Sequence, residues 1–166
     1  MRVLVVLGRS SPAGRLRAVV RTAVDRAGDR LDVTASWVDL AHLHIAETAS
    51  FGGEEDGEAV LRELASADAV VVAAEADGGL PAAALRRLLD RTSTELTQTP
   101  VGLVVAGATL FEREAAGEAL RAGVVGVGGR PAPTVVAVST TATGLVEDAD
   151  ELDGLFDTLD AMVHQT

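Results

Sequence analysis

The sequence predicts an α/β fold: a three-layer sandwich in which a five-stranded parallel sheet carries helices on both faces. Short β-rich runs alternate with helix-period segments five times along the 166 residues, the pattern of a sheet built with right-handed crossovers. Hydrophobic residues make up 48% of the chain, enough for one core, so we expect one domain over residues 1–166. The expected strand order is 2-1-3-4-5.

Five segments are strand candidates. Three of them contain nearly continuous apolar runs, from Val3 to Leu7, from Ala69 to Ala74 and from Val101 to Ala106, as in parallel strands buried on both faces. The second candidate alternates apolar and polar residues, so we expect it near an edge of the sheet. The predicted bounds are Arg2–Gly8, Leu31–Leu40, Ala69–Ala74, Pro100–Gly107 and Pro133–Ser139.

Four segments between and after these strands have helical periodicity. Apolar residues recur at intervals of three and four from Leu16 to Ala27, Val60 to Leu64, Ala84 to Leu89 and Leu152 to Val163. This spacing places them on one face of a helix, which we expect to cover the sheet.

Charge and composition exclude several classes of function. The net charge is −11, from 25 acidic and 14 basic residues, and so acidic a surface disfavours binding to nucleic acid. The chain has no Cys, which removes disulfides and thiol nucleophiles and is compatible with a cytoplasmic location. The apolar runs are too short for a signal peptide or a membrane span, so no membrane association is expected.

Several catalytic and binding motifs fail on inspection. The glycine-rich segment from Gly126 to Arg130 does not follow the first strand, so it is not a dinucleotide-binding fingerprint. The chain has no Lys, which excludes a P-loop. His42 and His44 lack a third ligand at motif spacing, and Ser10 and Ser11 lie in no nucleophile elbow. The sequence therefore predicts neither a metal site nor a side-chain catalytic constellation.

The loops after the first, third and fourth predicted strands are the best candidates for a binding site. Ligands of open α/β sheets bind beyond the carboxyl ends of the strands, near the point where strand order reverses. In the first loop, two hydroxyls, two guanidinium groups and the amides of a helix start are suited to a phosphate. Simple helix capping with exposed arginines is the alternative. The residues concerned are Arg9, Ser10, Ser11, Gly14 and Arg15.

The second and third loops are rich in small residues. Paired glycines at Gly78 and Gly79 allow the backbone to approach a flat ligand, although an ordinary strand-to-helix turn has the same composition. The third loop is small where a ligand would lie and then begins a helix. The candidate binding residues are Ala76, Asp77, Gly78, Gly79 and Leu80 in the second loop, and Gly107, Ala108 and Thr109 in the third.

These loops, in this order and spacing, resemble those of the NAD(P)H-dependent FMN reductases of the flavodoxin-like superfamily. The resemblance covers about residues 1–139. It is clearest from Ala67 to Ala74 and from Leu80 to Asp90, where Ala84-Leu85-Arg86 and Leu89-Asp90 match the typical ending of a family helix.

The resemblance implies a flavodoxin-like fold, FMN as cofactor and NAD(P)H as co-substrate. Hydride would pass from the nicotinamide to the flavin and on to a small acceptor or a partner monooxygenase. The candidate residues of the three loops would bind the cofactor, and no catalytic side chain is required. The resemblance also implies a homodimer or homotetramer.

Three positions depart from the family pattern. Glu75 and Asp77 stand where the family typically has Pro and Tyr, and Gly14 stands where it has a phosphate-binding Ser. A carboxylate at position 77 replaces an aromatic contact with negative charge. A flavodoxin-like binding or assembly protein without flavin affinity therefore remains the alternative.

Overall fold

A computed structural model describes residues 1–9, 15–41, 54–140 and 145–165. Strands and helices alternate along the chain, as expected. The elements are β1 (Arg2–Gly8), α1 (Arg15–Leu31), β2 (Thr34–Asp39), α2 (Glu54–Ser66), β3 (Ala69–Asp77), β4 (Leu80–Pro81), α3 (Ala83–Arg91), β5 (Pro100–Gly107), α4 (Leu110–Gly126), β6 (Arg130–Ser139) and α5 (Leu145–His164).

The sheet has six strands, so the prediction of five was wrong. Five strands are parallel in the order β2-β1-β3-β5-β6, and β4 pairs with β3 off this path. β4 is antiparallel to β3, with Ala76 opposite Pro81 and Asp77 opposite Leu80. The five parallel strands thus have the predicted doubly wound arrangement, and the additional strand comes from a hairpin in what was expected to be a loop.

The bounds of three strands differ from the predicted ones: β2 is shorter at both ends, β3 continues to Asp77 rather than ending at Ala74, and the last strand begins earlier. β2 begins at Thr34 rather than Leu31, because α1 continues to Leu31 and the chain turns at Asp32, whose φ is 50°. The last strand begins at Arg130, with Pro131 paired to Val101 before a bulge. Proline is tolerated there because β6 is an edge strand.

The two faces of the sheet bury separate apolar clusters. On one face, α1 and α5 cover residues that include Val3, Val5 and Leu7. On the other face, side chains of α3 and α4 pack with residues that include Leu4 and Val6. The burial of β1, β3 and β5 on both faces is as expected from their continuous apolar runs, and β2 is the partly exposed edge strand.

Rows of opposite charge join α1 to α5 at the protein surface. Arg26 Nη1 lies 3.2 Å from Asp153 Oδ2 and 3.1 Å from Asp150 Oδ1. Arg30 Nη1 lies 3.1 Å from Asp157 Oδ1. These carboxylates, Asp153 foremost, raise the pKa of Arg26 above its ordinary value by accepting its hydrogen bonds. Within the described ranges, none of the helices is long and apolar enough to span a bilayer.

Candidate functional site

The carboxyl ends of β1, β3 and β5 lie side by side at the centre of the sheet. Gly8 is paired with Ala74, and Glu75 with Ala106, so β1 and β5 end beside the last residues of β3, which continues to Asp77. The loops that follow these strands are called the first, second and third loops below. The three loops thus start at one edge of the sheet, which is where the sequence predicted a ligand site.

Gly8 packs β1 tightly against α3. A Cβ atom at this position would lie 2.7 Å from Leu85 Cβ, a distance that real Cβ atoms do not adopt. The glycine therefore allows the first loop to start directly beneath α3, close to the second loop.

Arg9 forms a buried ion pair with Asp39 instead of extending into solvent. The Arg9 side chain is fully buried, and its Nε donates to Asp39 Oδ1 at 3.1 Å and to Oδ2 at 3.0 Å. Arg9 Nη2 also contacts Asp39 Oδ2. Arg17 Nη1 lies 3.3 Å from Asp39 Oδ2, and the Ala41 amide donates to Oδ1. The guanidinium proposed for phosphate binding thus also joins the ends of β1 and β2.

The other candidates of the first loop are Arg15, which begins α1 and is partly buried, and Ser10, Ser11 and Gly14, which lie outside the described residues. His42 and His44 also lie outside them. Among the residues that the structure describes, no group of three or more His, Asp or Glu side chains is placed to hold a metal ion.

The second loop is a tight β-hairpin. Gly78 and Gly79 connect β3 to β4 with φ values of 57° and 79°, the left-handed conformations that a two-residue hairpin turn requires. The Ala82 amide donates to the Glu75 carbonyl at 3.0 Å and closes the base of the hairpin. The segment predicted as a loop is therefore a turn between two paired strands, because its glycines adopt the conformations that such a turn requires.

The hairpin is packed against the third loop and α4. A Cβ on Gly79 would lie 3.3 Å from Ala115 Cβ, and a Cβ on Gly107 would lie 3.3 Å from Ala76 Cβ. Both ends of the hairpin thus approach their neighbours at distances that only small residues permit. The structure brings the candidate residues of the second and third loops together.

The third loop is held by a complete capping box. Thr109 is the N-cap of α4, and its hydroxyl oxygen accepts from the Glu112 amide at 3.1 Å, while the Thr109 amide donates to Glu112 Oε2 at 3.1 Å. Arg113 Nη1 donates to the Gly107 carbonyl at 2.9 Å. Thr109 was predicted as a binding residue, and its role within the chain is to fix the first turn of α4.

The solvent-facing surface of the two loops combines apolar groups with one carboxylate. Asp77 and Ala108 are exposed, and a Cβ on Gly78 would meet nothing within 4 Å. Leu80 is 44% exposed, and Leu110 and Phe111 at the start of α4 are 59% and 77% exposed. Sequence reasoning missed Leu110 and Phe111; their position just after a candidate loop was the available signal.

A family model described as NADPH-dependent FMN reductase matches residues 1–143. No curated protein matches the chain. The apo form of an NADH:FMN oxidoreductase superposes with a TM-score of 0.80 at 14% identity, covering 96% of this chain and 88% of the other. An oxidoreductase from Corynebacterium diphtheriae gives 0.70 at 18% identity, covering 100% and 98%. A flavodoxin from the domain Archaea gives 0.70 at 14% identity, covering 99% of each chain. At these identities the solved structures show a shared flavodoxin-like fold.

Proposed function

Because this chain belongs to the NADPH-dependent FMN reductase family, we propose that it is a flavin reductase that passes hydride from NAD(P)H to FMN. Family membership implies FMN as cofactor and NAD(P)H as co-substrate. The flavin supplies the redox chemistry when bound, and the protein has to bind, orient and shield it. The observation that carries the proposal is that the carboxyl ends of β1, β3 and β5, from which the three loops start, lie side by side at one edge of the sheet.

The second and third loops fit the ring end of a flavin. Gly78 leaves open space where a side chain would stand, and Ala108 in the third loop is small and exposed. Leu80 and Phe111 provide exposed apolar surface beside them. A flat and largely apolar ring system matches this combination of small residues and apolar side chains.

We propose that the phosphate end is bound by the first loop, through Ser10, Ser11, Gly14 and Arg15, with Arg9 as a charged base beneath it. The Arg9 side chain is buried and already neutralised by Asp39. Its contribution is therefore to position the start of the loop.

No side chain of the chain is required to act as acid or base in hydride transfer. The role of the second and third loops is to hold one face of the ring and to exclude water from it. We propose that a small molecule or a partner monooxygenase then receives the electrons, and that the protein is a homodimer or homotetramer. Light scattering of the purified protein tests the oligomeric state.

A binding protein without redox activity is the competing function, and the exposed carboxylate of Asp77 favours it. Negative charge beside the ring opposes the uptake of electrons by a flavin. Under this alternative the same fold would serve only for binding or assembly.

Titration of the purified protein with FMN separates the two functions. A flavin reductase quenches FMN fluorescence on binding and, once loaded, oxidises NADH or NADPH with a loss of absorbance from the reduced nicotinamide. Protein that neither quenches FMN nor oxidises either nicotinamide refutes the reductase proposal. Protein that binds FMN without oxidising a nicotinamide refutes the proposed hydride transfer alone.

A further inference from the structure

Exposed apolar side chains are concentrated at the candidate site. Among the described residues, the large hydrophobic side chains that stand exposed are Leu80, Leu110, Phe111 and Val125. Leu80 lies in β4 of the hairpin, and Leu110 and Phe111 begin α4 directly after the third loop. Val125 lies at the opposite end of α4. A concentration of this kind marks a surface that is covered in the functional state.

Phe111 has the most exposed aromatic ring in the described part of the chain. The sequence has three Phe, one Trp and no Tyr. Phe156 is completely buried, and Trp37 packs against the core on the α1 and α5 face. Phe51 lies outside the described residues. Phe111, by contrast, is 77% exposed.

The geometry of α4 directs Phe111 toward the second loop. Residues four apart in a helix lie on the same face, one turn from each other. Ala115, four residues after Phe111, is the residue that Gly79 of the hairpin approaches. Phe111 therefore lies above the hairpin contact, one turn nearer to the carboxyl edge of the sheet. The Thr109–Glu112 capping box holds the backbone of this turn in place.

We infer that Phe111 is the aromatic contact of the flavin ring in this protein. The inference rests on the proposed function and assigns the contact to the first turn of α4, whereas the family pattern places a Tyr in the second loop, where this chain has Asp77. An aromatic ring at position 111 contributes stacking and apolar burial to ring binding, and the carboxylate at position 77 contributes neither. Phe111 is thus a cofactor-binding residue outside the set predicted from the sequence.

The test is FMN affinity, measured by quenching of flavin fluorescence with Phe111→Ala, Phe111→Leu, Phe111→Trp and Val125→Ala. We expect Phe111→Ala to raise the Kd about three- to tenfold, the amount that an aromatic pair contributes. The Kd of Phe111→Leu should lie between those of Phe111→Ala and the parent protein, and the Kd of Phe111→Trp should equal that of the parent protein. A Trp at this position should also change the shape of the visible absorption band of bound FMN.

Val125→Ala is the matched control, because Val125 is also an exposed apolar residue of α4 but lies at its other end. Thermal unfolding of each variant verifies that the fold is intact, as expected for substitutions at exposed positions. If Phe111→Ala binds FMN as tightly as Val125→Ala, or if Phe111→Trp fails to restore affinity, the inference is overturned while the proposed function stands. If the parent protein binds no FMN, both fail together.

Discussion

The guanidinium of Arg9 is buried against the carboxylate of Asp39, at the point where the loop proposed to bind phosphate begins. Arg9 follows the last residue of β1, and Asp39 is the last residue of β2. The pair therefore ties two neighbouring strands together at the edge where the candidate site begins.

We predict that Asp39→Ala lowers the free energy of unfolding by about 3 kcal/mol, because it removes the carboxylate partner of a buried guanidinium. Urea unfolding measures the change. Asp25→Ala is the control: Asp25 pairs with Arg21 at 3.9 Å on the surface, and its loss should cost less than about 1 kcal/mol. Equal losses of unfolding free energy in the two variants would show that the buried Arg9–Asp39 pair stabilises the fold no more than a surface pair does.

Removal of the carboxylate at position 77 should strengthen FMN binding. Asp77 is exposed on the hairpin beside the proposed ring site, so Asp77→Asn should lower the Kd for FMN about twofold at low salt, and the gain should vanish at high salt. Asp90→Asn is the control, because it removes an equal charge near the carboxyl end of α3. An unchanged Kd in Asp77→Asn, measured by fluorescence titration, would place the ring away from the hairpin.

The hairpin turn requires glycine at its second position. Gly79 has a φ of 79° and would carry a Cβ 3.3 Å from Ala115 Cβ, so Gly79→Ala should lower the free energy of unfolding by about 1–2 kcal/mol. Gly126→Ala, at a helical glycine whose Cβ would meet nothing within 4 Å, should leave stability unchanged or raise it by up to about 1 kcal/mol. Chemical denaturation of both variants checks the contrast, which a stable Gly79→Ala protein would contradict.

The contribution of Glu95 to the free energy of unfolding should depend on pH. The Ser93 amide donates to Glu95 Oε2 at 2.7 Å and the Thr94 amide at 3.0 Å, and these bonds, that of Ser93 first, lower the pKa of Glu95 below its ordinary value of 4.5. A lowered folded-state pKa contributes stability that is present above the unfolded pKa and is lost as pH falls through the folded value.

Glu95→Gln should therefore lower the melting temperature at pH 7 and have a much smaller effect near pH 3. The expected change at pH 7 is below about 1 kcal/mol, because the bonds are exposed. Melting curves at the two pH values test the sign. A loss that is larger at pH 3 would show that the carboxylate charge is not what stabilises this turn.

The parallel sheet was predictable because its signals are local. The continuous apolar runs of β1, β3 and β5 indicated strands buried on both faces, and the alternation in β2 indicated an edge. The hairpin was missed because Asp77-Gly78-Gly79 suits a strand-to-helix turn as well as a turn between strands. The pairing of β4 with β3 depends on the position of α4, which the local sequence does not specify.

The site was predictable in position but less so in detail. The carboxyl edge follows from the alternation of strands and helices. The Arg9–Asp39 pair does not, because the two residues are 30 positions apart and meet only through the register that pairs Leu7 with Asp39. The sequence around Phe111 does not distinguish an exposed binding residue from a core residue. Only the exposure of its ring in the folded chain identifies it as a candidate.

The contact of Gly79 with Ala115 has a consequence for the evolution of this protein. Since the hairpin touches α4 at one end and Gly107 at the other, the second and third loops form one wall, and enlargement of Gly79 or of Ala115 would have to be matched by a change across the contact. Substitutions on this wall should therefore be inherited in pairs, while single changes accumulate at outward positions such as Asp77, whose side chain is exposed. Diversification of ligand preference in this lineage would then proceed through the side chains on the wall and leave its backbone unaltered.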